Sequence, residues 1–168
     1  QGYRDALAEA GIPFDPALFT HANFDLPEAG PQLLWDSIDH MLRLANPPTV
    51  ICCGNDQMAL MVYGILRTMG RRVPDEIGVA GFDNYRVIAE TLYPPLTTVD
   101  LPYNAMGVRA GERLLSLIAG EEAQDAALPP TQSPVRVAGP VLWRGSVAEL
   151  PLANILHMKP NGRKTDEV

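Results

Sequence analysis

The 168-residue sequence predicts an α/β protein built on a doubly wound parallel sheet. Helix-period and strand-period patterns alternate through residues 25–100, the arrangement of successive βαβ units. The apolar runs "TVICC" (49–53) and "IGVAGF" (77–82) show no polar alternation, so each reads as a strand covered on both faces. Both runs end in turns rich in Asx residues, Gly54-Asn55-Asp56 and Phe82-Asp83-Asn84. In open α/β sheets such turns line the crevice where ligands bind.

The elements follow in order. Residues 2–10 read as the end of a helix, closed by Gly11 and Pro13. "ALFTHANF" (17–24) alternates weakly and is a strand candidate. Within 26–46, Leu33, Leu34, Ile38, Met41, Leu42 and Ala45 recur at three- and four-residue steps, which predicts a helix ended by Asn46-Pro47-Pro48. "TVICC" is the next strand, 56–69 a helix closed by Gly70, 77–82 a strand and "LTTVD" (96–100) another. Residues 102–120 read as a helix, with Pro102 in its first turn and Gly120 at its end. The stretch 121–134 reads as a loop. "VRVAGPVLWRGSV" (135–147) contains one or two strands, with Pro140 marking an edge or a break. The polar tail beyond Pro151 is expected to be disordered.

Composition narrows the function. A hydrophobic content of 46% supports a real core. The formal net charge of −7 repels phosphate backbones, so this chain by itself is expected to bind no DNA, and Arg71-Arg72 reads as an isolated pair on a solvated turn. No apolar run is long enough to span a bilayer, and no signal peptide is visible at the polar start. The only cysteines, Cys52 and Cys53, are adjacent on a strand and read as small buried hydrophobes of a reducing compartment. His21, His40 and His157 lack metal-ligand spacing. There is no G-x-S-x-G, Walker A, H-E-x-x-H or G-x-G-x-x-G element, so no catalytic residue, metal or cofactor is assigned and the chain does not read as an enzyme.

The turns offer a binding chemistry instead. Asp56, directly before a helix, suits an N-cap, which would leave Asn55 free to face the crevice. An amide both donates and accepts, which suits a sugar or nucleoside hydroxyl. Asp83 follows a buried strand and needs donors that ligand hydroxyls could supply. Phe24 has two readings, a core residue or a ring stacked on an apolar ligand face. If the strands are parallel, Asn23-Phe24-Asp25 converges with the other two turns. The helix 58–69 is apolar nearly all round, so beyond its sheet-facing side a second face wants a cover, either its own lobe or a second copy of the chain.

These motifs resemble the lactose-repressor family of bacterial transcription regulators. "GNDQMAL" is similar to the family's A-N-D-x-M-A-x-G element, and "RRVPDEIGVAGFDN" to its L-x-V-P-x-D-V-S-V-x-G-F-D-D element. "YPPLTTVDLPYNAMG" resembles P-P-L-T-T-V-x-Q-P-x-x-x-M-G, "GYRDALAEAGI" resembles G-F-x-x-A-L-x-x-A-G-I, and "VLWRGSV" resembles the strand that closes the domain. The resemblance spans about residues 2–147. It implies a periplasmic-binding-protein-like type I effector domain, incomplete here. Residues 1–100 would be the C-terminal lobe without its first strand, 101–134 a crossover and helix of the N-terminal lobe, 135–148 strands returning between lobes, and 149–168 a disordered tail. The start at Gln1 is accordingly expected to be that of a fragment or processed product, just past the place of an effector-binding arginine.

The resemblance further implies effector contacts at Phe24, Asn55 and Asp83, and a crossover from Val99 to Pro102. It implies a homodimer through Leu60, Gly64, Leu92 and Tyr93, where Gly64 would allow close approach. The expected protein is a cytoplasmic repressor that answers to a sugar or purine and reaches operator DNA only through an N-terminal helix-turn-helix head outside this chain. The alternative is a periplasmic sugar-binding protein of a transporter. Leu101 stands where the family commonly has Gln, so one polar contact expected of the family is missing.

Overall fold

The structure, a computed structural model, describes residues 2–20, 30–119 and 136–149. The first helix, α1 (Gly2–Glu9), ends at Gly11, whose φ of 68° makes the left-handed turn that closes it. The strand expected from residue 17 does not begin there. Asp15 caps a single 3-10 turn, Pro16–Leu18, by accepting the Ala17 amide at 2.9 Å. The Asp-Pro pair supplies both the cap and the φ of a helical start, which outweighs weak alternation. Residues 21–24 of that candidate, Phe24 included, lie outside the described residues.

α2 (Gly30–Leu42) buries Leu34, Ile38 and Met41 of the predicted stripe and half-buries Leu42, but it leaves Leu33 exposed and ends before Ala45. β1 (Val50–Cys52) pairs in parallel with β2 (Gly78–Ala80), with Val50 opposite Gly78 and Cys52 opposite Ala80. α3 (Asp56–Thr68) joins them and is closed by Gly70 at φ 71°. β2 continues through parallel bridges from Ala80 to Thr97 and from Asp83 to Asp100, which places the segment 97–100 on its other side. Within that segment β3 (Thr98–Val99) pairs antiparallel with β4 (Val141–Leu142). A one-turn helix absent from the sequence reading, α4 (Arg86–Ala89), lies between β2 and β3.

One core holds these elements together. Leu34 and Ile38 of α2 meet Ala59, Val62, Ile65 and Leu66 of α3, Ile77 just before β2, Val79 on it, Ala89 and Leu96. Coverage of β1 differs from the expectation. Ile51 and Cys53 face the core, but Val50 and Cys52 are exposed. Side chains alternate along a strand, and the helices α2 and α3 cover one face only. α5 (Tyr103–Ala119) forms as its pattern predicts and buries none of its residues.

Candidate functional site

The turns that leave β1 and β2 meet. The Asp56 amide donates to the Phe82 carbonyl at 3.1 Å, and the Tyr85 amide donates to Asp56 Oδ2 at 2.7 Å. The sequence reading of the first turn is reversed in detail. Asn55, not Asp56, is the N-cap: its backbone is extended and its Oδ1 accepts the Met58 amide at 2.7 Å. Asp56 is the first helical residue and is fully buried. Its Oδ1 takes the Thr98 hydroxyl at 2.6 Å, so the carboxylate joins three segments instead of facing solvent. Adjacent Asx residues cap about equally well, and the choice went to the one whose neighbour could reach buried donors.

This assignment changes what Asn55 can offer. Its carbonyl oxygen is occupied by the helix end, so the amide Nδ2 is the group it can present outward, as a donor. Gly81 permits the arrangement. A Cβ there would collide with Asp56 Oδ1 and lie 2.8 Å from the Leu96 side chain.

Asp83 and Asn84 form a sharp turn with positive φ at both residues, 108° and 53°. Asn tolerates the left-handed region, but the Asp83 conformation is one that L residues avoid and costs about 1–3 kcal/mol. The Asp83 amide donates to Val99 O at 3.0 Å, and its Oδ1 shares the Tyr85 amide with Asp56 at 3.1 Å. The Asp83 carboxyl is held above its ordinary pKa of 3.8, first by partial burial and then by the nearby Asp56 charge. It is half-buried, with Phe82 exposed beside it. The strand ends thus bring Asn55 and Asp83 to one edge of the sheet. Phe24, the third expected contact, and its neighbours Asn23 and Asp25 lie outside the described residues.

Sequence reasoning missed the groups that support this edge. Asn84 donates from Nδ2 to Asp100 Oδ1 at 2.7 Å and accepts at Oδ1 from Arg144 Nη2 at 2.9 Å. Arg144 also donates to Leu96 O at 2.9 Å, and its backbone amide bonds Thr97 Oγ1 at 2.9 Å. The buried Ser146 hydroxyl donates to Val79 O at 2.6 Å and accepts the Thr97 amide at 2.7 Å.

The expected association surface lies elsewhere, on the outer side of α3. Leu60 is 44% exposed, and Gly64, one turn on, is exposed as well. Met58, Met61 and Tyr63 pack partly against the core, so the outward stripe is narrower than the sequence suggested. Burial raises the Tyr63 phenol to about 12, and its hydroxyl donates to Pro94 O at 2.8 Å, tying the 92–95 segment to the helix. Tyr93 stands 94% exposed there, while Leu92 packs partly against the core. Arg71 and Arg72 sit on an exposed turn and pair with Asp75 and Glu76.

A family model described as a periplasmic binding protein-like domain matches residues 1–138. The chain belongs to that family. Its relatives are transcription regulators of LacI type. The chain is 34% identical over 124 residues to the probable HTH-type transcriptional repressor ExuR of Bacillus subtilis, covering 74% of this chain and 35% of that protein. It is 38% identical over 121 residues to the HTH-type transcriptional repressor PurR of Vibrio parahaemolyticus, covering 72% of this chain and 34% of that protein. Among solved structures it is similar to the transcriptional regulator CelR–cellobiose complex, with a TM-score of 0.65 and 30% identity over 87% of this chain and 41% of that one. The chain therefore spans about a third of the length of the curated relatives it matches. These matches place the domain with regulators rather than with transporter binding proteins.

Proposed function

We propose that the chain is the effector-binding and dimerisation region of a DNA-binding transcriptional repressor that responds to a sugar or a purine. The observation that carries this reading is the convergence of the Asn55 amide and the Asp83 carboxylate at the carboxyl ends of parallel β1 and β2, in a chain similar to repressors. A carboxylate accepts two hydroxyl donors of a ligand, and the Asn55 Nδ2 supplies the complementary donor. Phe24 would stack on the ligand's apolar face. The similar CelR structure was solved with cellobiose, which favours the sugar arm. No step of this function is catalytic, and the protein would act in the cytoplasm.

DNA would be reached through a region other than this acidic chain, whose Arg71-Arg72 pair is already engaged by Asp75 and Glu76. The dimer would form about a two-fold axis through Leu60, Gly64, the exposed part of Leu92, and Tyr93. The groove beside Gly64, lined by Trp35, Met61 and Ile65, continues this surface toward α2.

The decisive experiment is calorimetry on the full-length gene product with cellobiose, lactose, adenine and guanine. One of them should bind, and Asp83→Ala should weaken it by about 2–4 kcal/mol, roughly 30- to 1,000-fold, through the loss of two charge-assisted bonds. Unchanged affinity in Asp83→Ala would remove this residue from the site. A gel shift with the 168-residue chain at low salt should show no DNA binding, and salt-sensitive micromolar binding would contradict the division of labour.

A further inference from the structure

Two consecutive non-glycine residues with positive φ, Asp83 and Asn84, are held at the strand ends, and the nearby polar side chains are engaged around them. The Asn84 side chain sits between an obligate acceptor, the Asp100 carboxylate, and an obligate donor, the Arg144 guanidinium. That pairing fixes which end of the amide is oxygen and which is nitrogen. Arg144 is only 17% exposed at its side chain and is anchored independently of Asn84. One nitrogen donates to Leu96 O, its backbone amide bonds Thr97 Oγ1, and Glu90 lies 3.8 Å from its other nitrogen. The residues that follow are fastened as firmly, since Ser146 bonds both Val79 and Thr97.

We propose that Arg144 is a positioning residue for Asp83: through the Arg144–Asn84–Asp100 bridge it locks the left-handed 83–84 turn, and so sets the direction in which the Asp83 carboxylate meets a hydroxyl-bearing ligand. The ligand part rests on the effector-binding reading above; the locking of the turn does not. The guanidinium is suited to the task because its planar fork addresses the Leu96 carbonyl and the Asn84 amide at once in a fixed relative geometry, which a lysine ammonium cannot do. The bridge also spans chain segments far apart in sequence, residue 84 after β2, residue 100 after β3 and residue 144 after β4. The direction of Asp83 thereby depends on how the 141–146 segment seats against the sheet.

The test uses hydrogen exchange and calorimetry on the full-length gene product, with Arg144→Met, Arg144→Lys and Asn84→Gly. Exchange at the amides of Asp83, Asn84 and Tyr85 should quicken at least tenfold in Arg144→Met and Arg144→Lys, with the amides of Val62 and Leu66 in α3 unchanged. Unchanged exchange at 83–85, or an equal acceleration in the core, would overturn the proposal. If Arg144→Met fails to fold, Asn84→Gly carries the same test, because glycine accepts the local φ while removing the bridge. The second arm is a double-mutant cycle with cellobiose as the probe. Arg144→Met should weaken binding at least tenfold when Asp83 is present and less than twofold in an Asp83→Asn background. Equal losses in both backgrounds would show that Arg144 does not act through Asp83. Failure to bind cellobiose would bear on the effector reading alone, and the exchange arm then decides the positioning role.

Discussion

α3 and α5 share an amphipathic pattern and end in opposite circumstances. Both carry apolar residues at helical spacing over several turns. α3 places Ala59, Val62, Ile65 and Leu66 against β2, α2 and α4, and is anchored at its start by the Asp56 carboxylate. α5 has Leu114, Leu115, Leu117 and Ile118 exposed, and its start is held by backbone bonds such as Met106 N–H to Pro102 O at 2.9 Å. The lesson is that an amphipathic pattern specifies a helix and a face, but burial requires a facing surface that the pattern does not provide.

The largest effect should separate the two helices directly. Leu66→Ala should destabilise this chain by about 2–5 kcal/mol, because it opens a cavity in a fully buried position. Leu115→Ala, at a residue 67% exposed, should change stability by no more than about 0.5 kcal/mol in the same chain. Urea unfolding of both variants measures this. Repeating Leu115→Ala in the full-length gene product sharpens the comparison, since a cost well above that of the isolated chain would show that α5 gains a cover there.

The anchor of α3 comes next. Asp56→Ala leaves the Thr98 hydroxyl without its acceptor and the Tyr85 amide with only its longer bond to Asp83 Oδ1, and should cost about 1–3 kcal/mol by the same unfolding assay. Asp56→Asn keeps an acceptor oxygen and should cost less. Equal losses in the two variants would mean that the acceptor bonds are not what holds the helix start.

Leu60 is the part of α3 that most resembles α5. Leu60→Asp should leave folding nearly unchanged in a monomer, yet place paired like charges at the proposed two-fold interface. Sedimentation near micromolar concentration should show the full-length wild type as a dimer and the variant as a monomer. A folded variant that still sediments as a dimer would remove this stripe from the interface.

The smallest effect belongs to Asp83, beside the anchor. Its folded pKa lies above the ordinary 3.8, so the native state holds its proton more tightly than the unfolded chain does. Its ionisation therefore costs stability as pH rises from the unfolded value through the raised folded value, and the cost persists above that. Asp83→Asn keeps the Tyr85 bond and should match or slightly exceed wild type in Tm at neutral pH, with the difference narrowing as pH falls toward 3.8. A lower Tm at neutral pH would show that the Asp83 charge stabilises the fold.

Much of the fold was legible. The apolar steps of α2, α3 and α5, and the glycines that close α1 and α3, are local signals carried by residues three or four apart. The one-turn α4 was invisible because four residues are too few to show a period. The site was legible in its turns but not in its wiring. Asn55 and Asp56 are both good caps, and only the position of Thr98, forty-two residues later, decided which of them turned inward. Arg144 gave no signal at all, because its partner Asn84 lies sixty residues earlier.

The sequence by itself determined the α/β pattern, the family resemblance carried by its motifs, and the two Asx turns that follow apolar strands. These are matters of local periodicity and capping chemistry, which act over a few residues. Only the tertiary structure decided that Asp56 is a buried joint, that Val50 and Cys52 on one face of β1 are exposed, and that Arg144 reaches the Asn84 turn. Each of those depends on which segments the sheet brings side by side, since burying a carboxylate or a guanidinium is possible only where distant chain supplies the matching donors and acceptors.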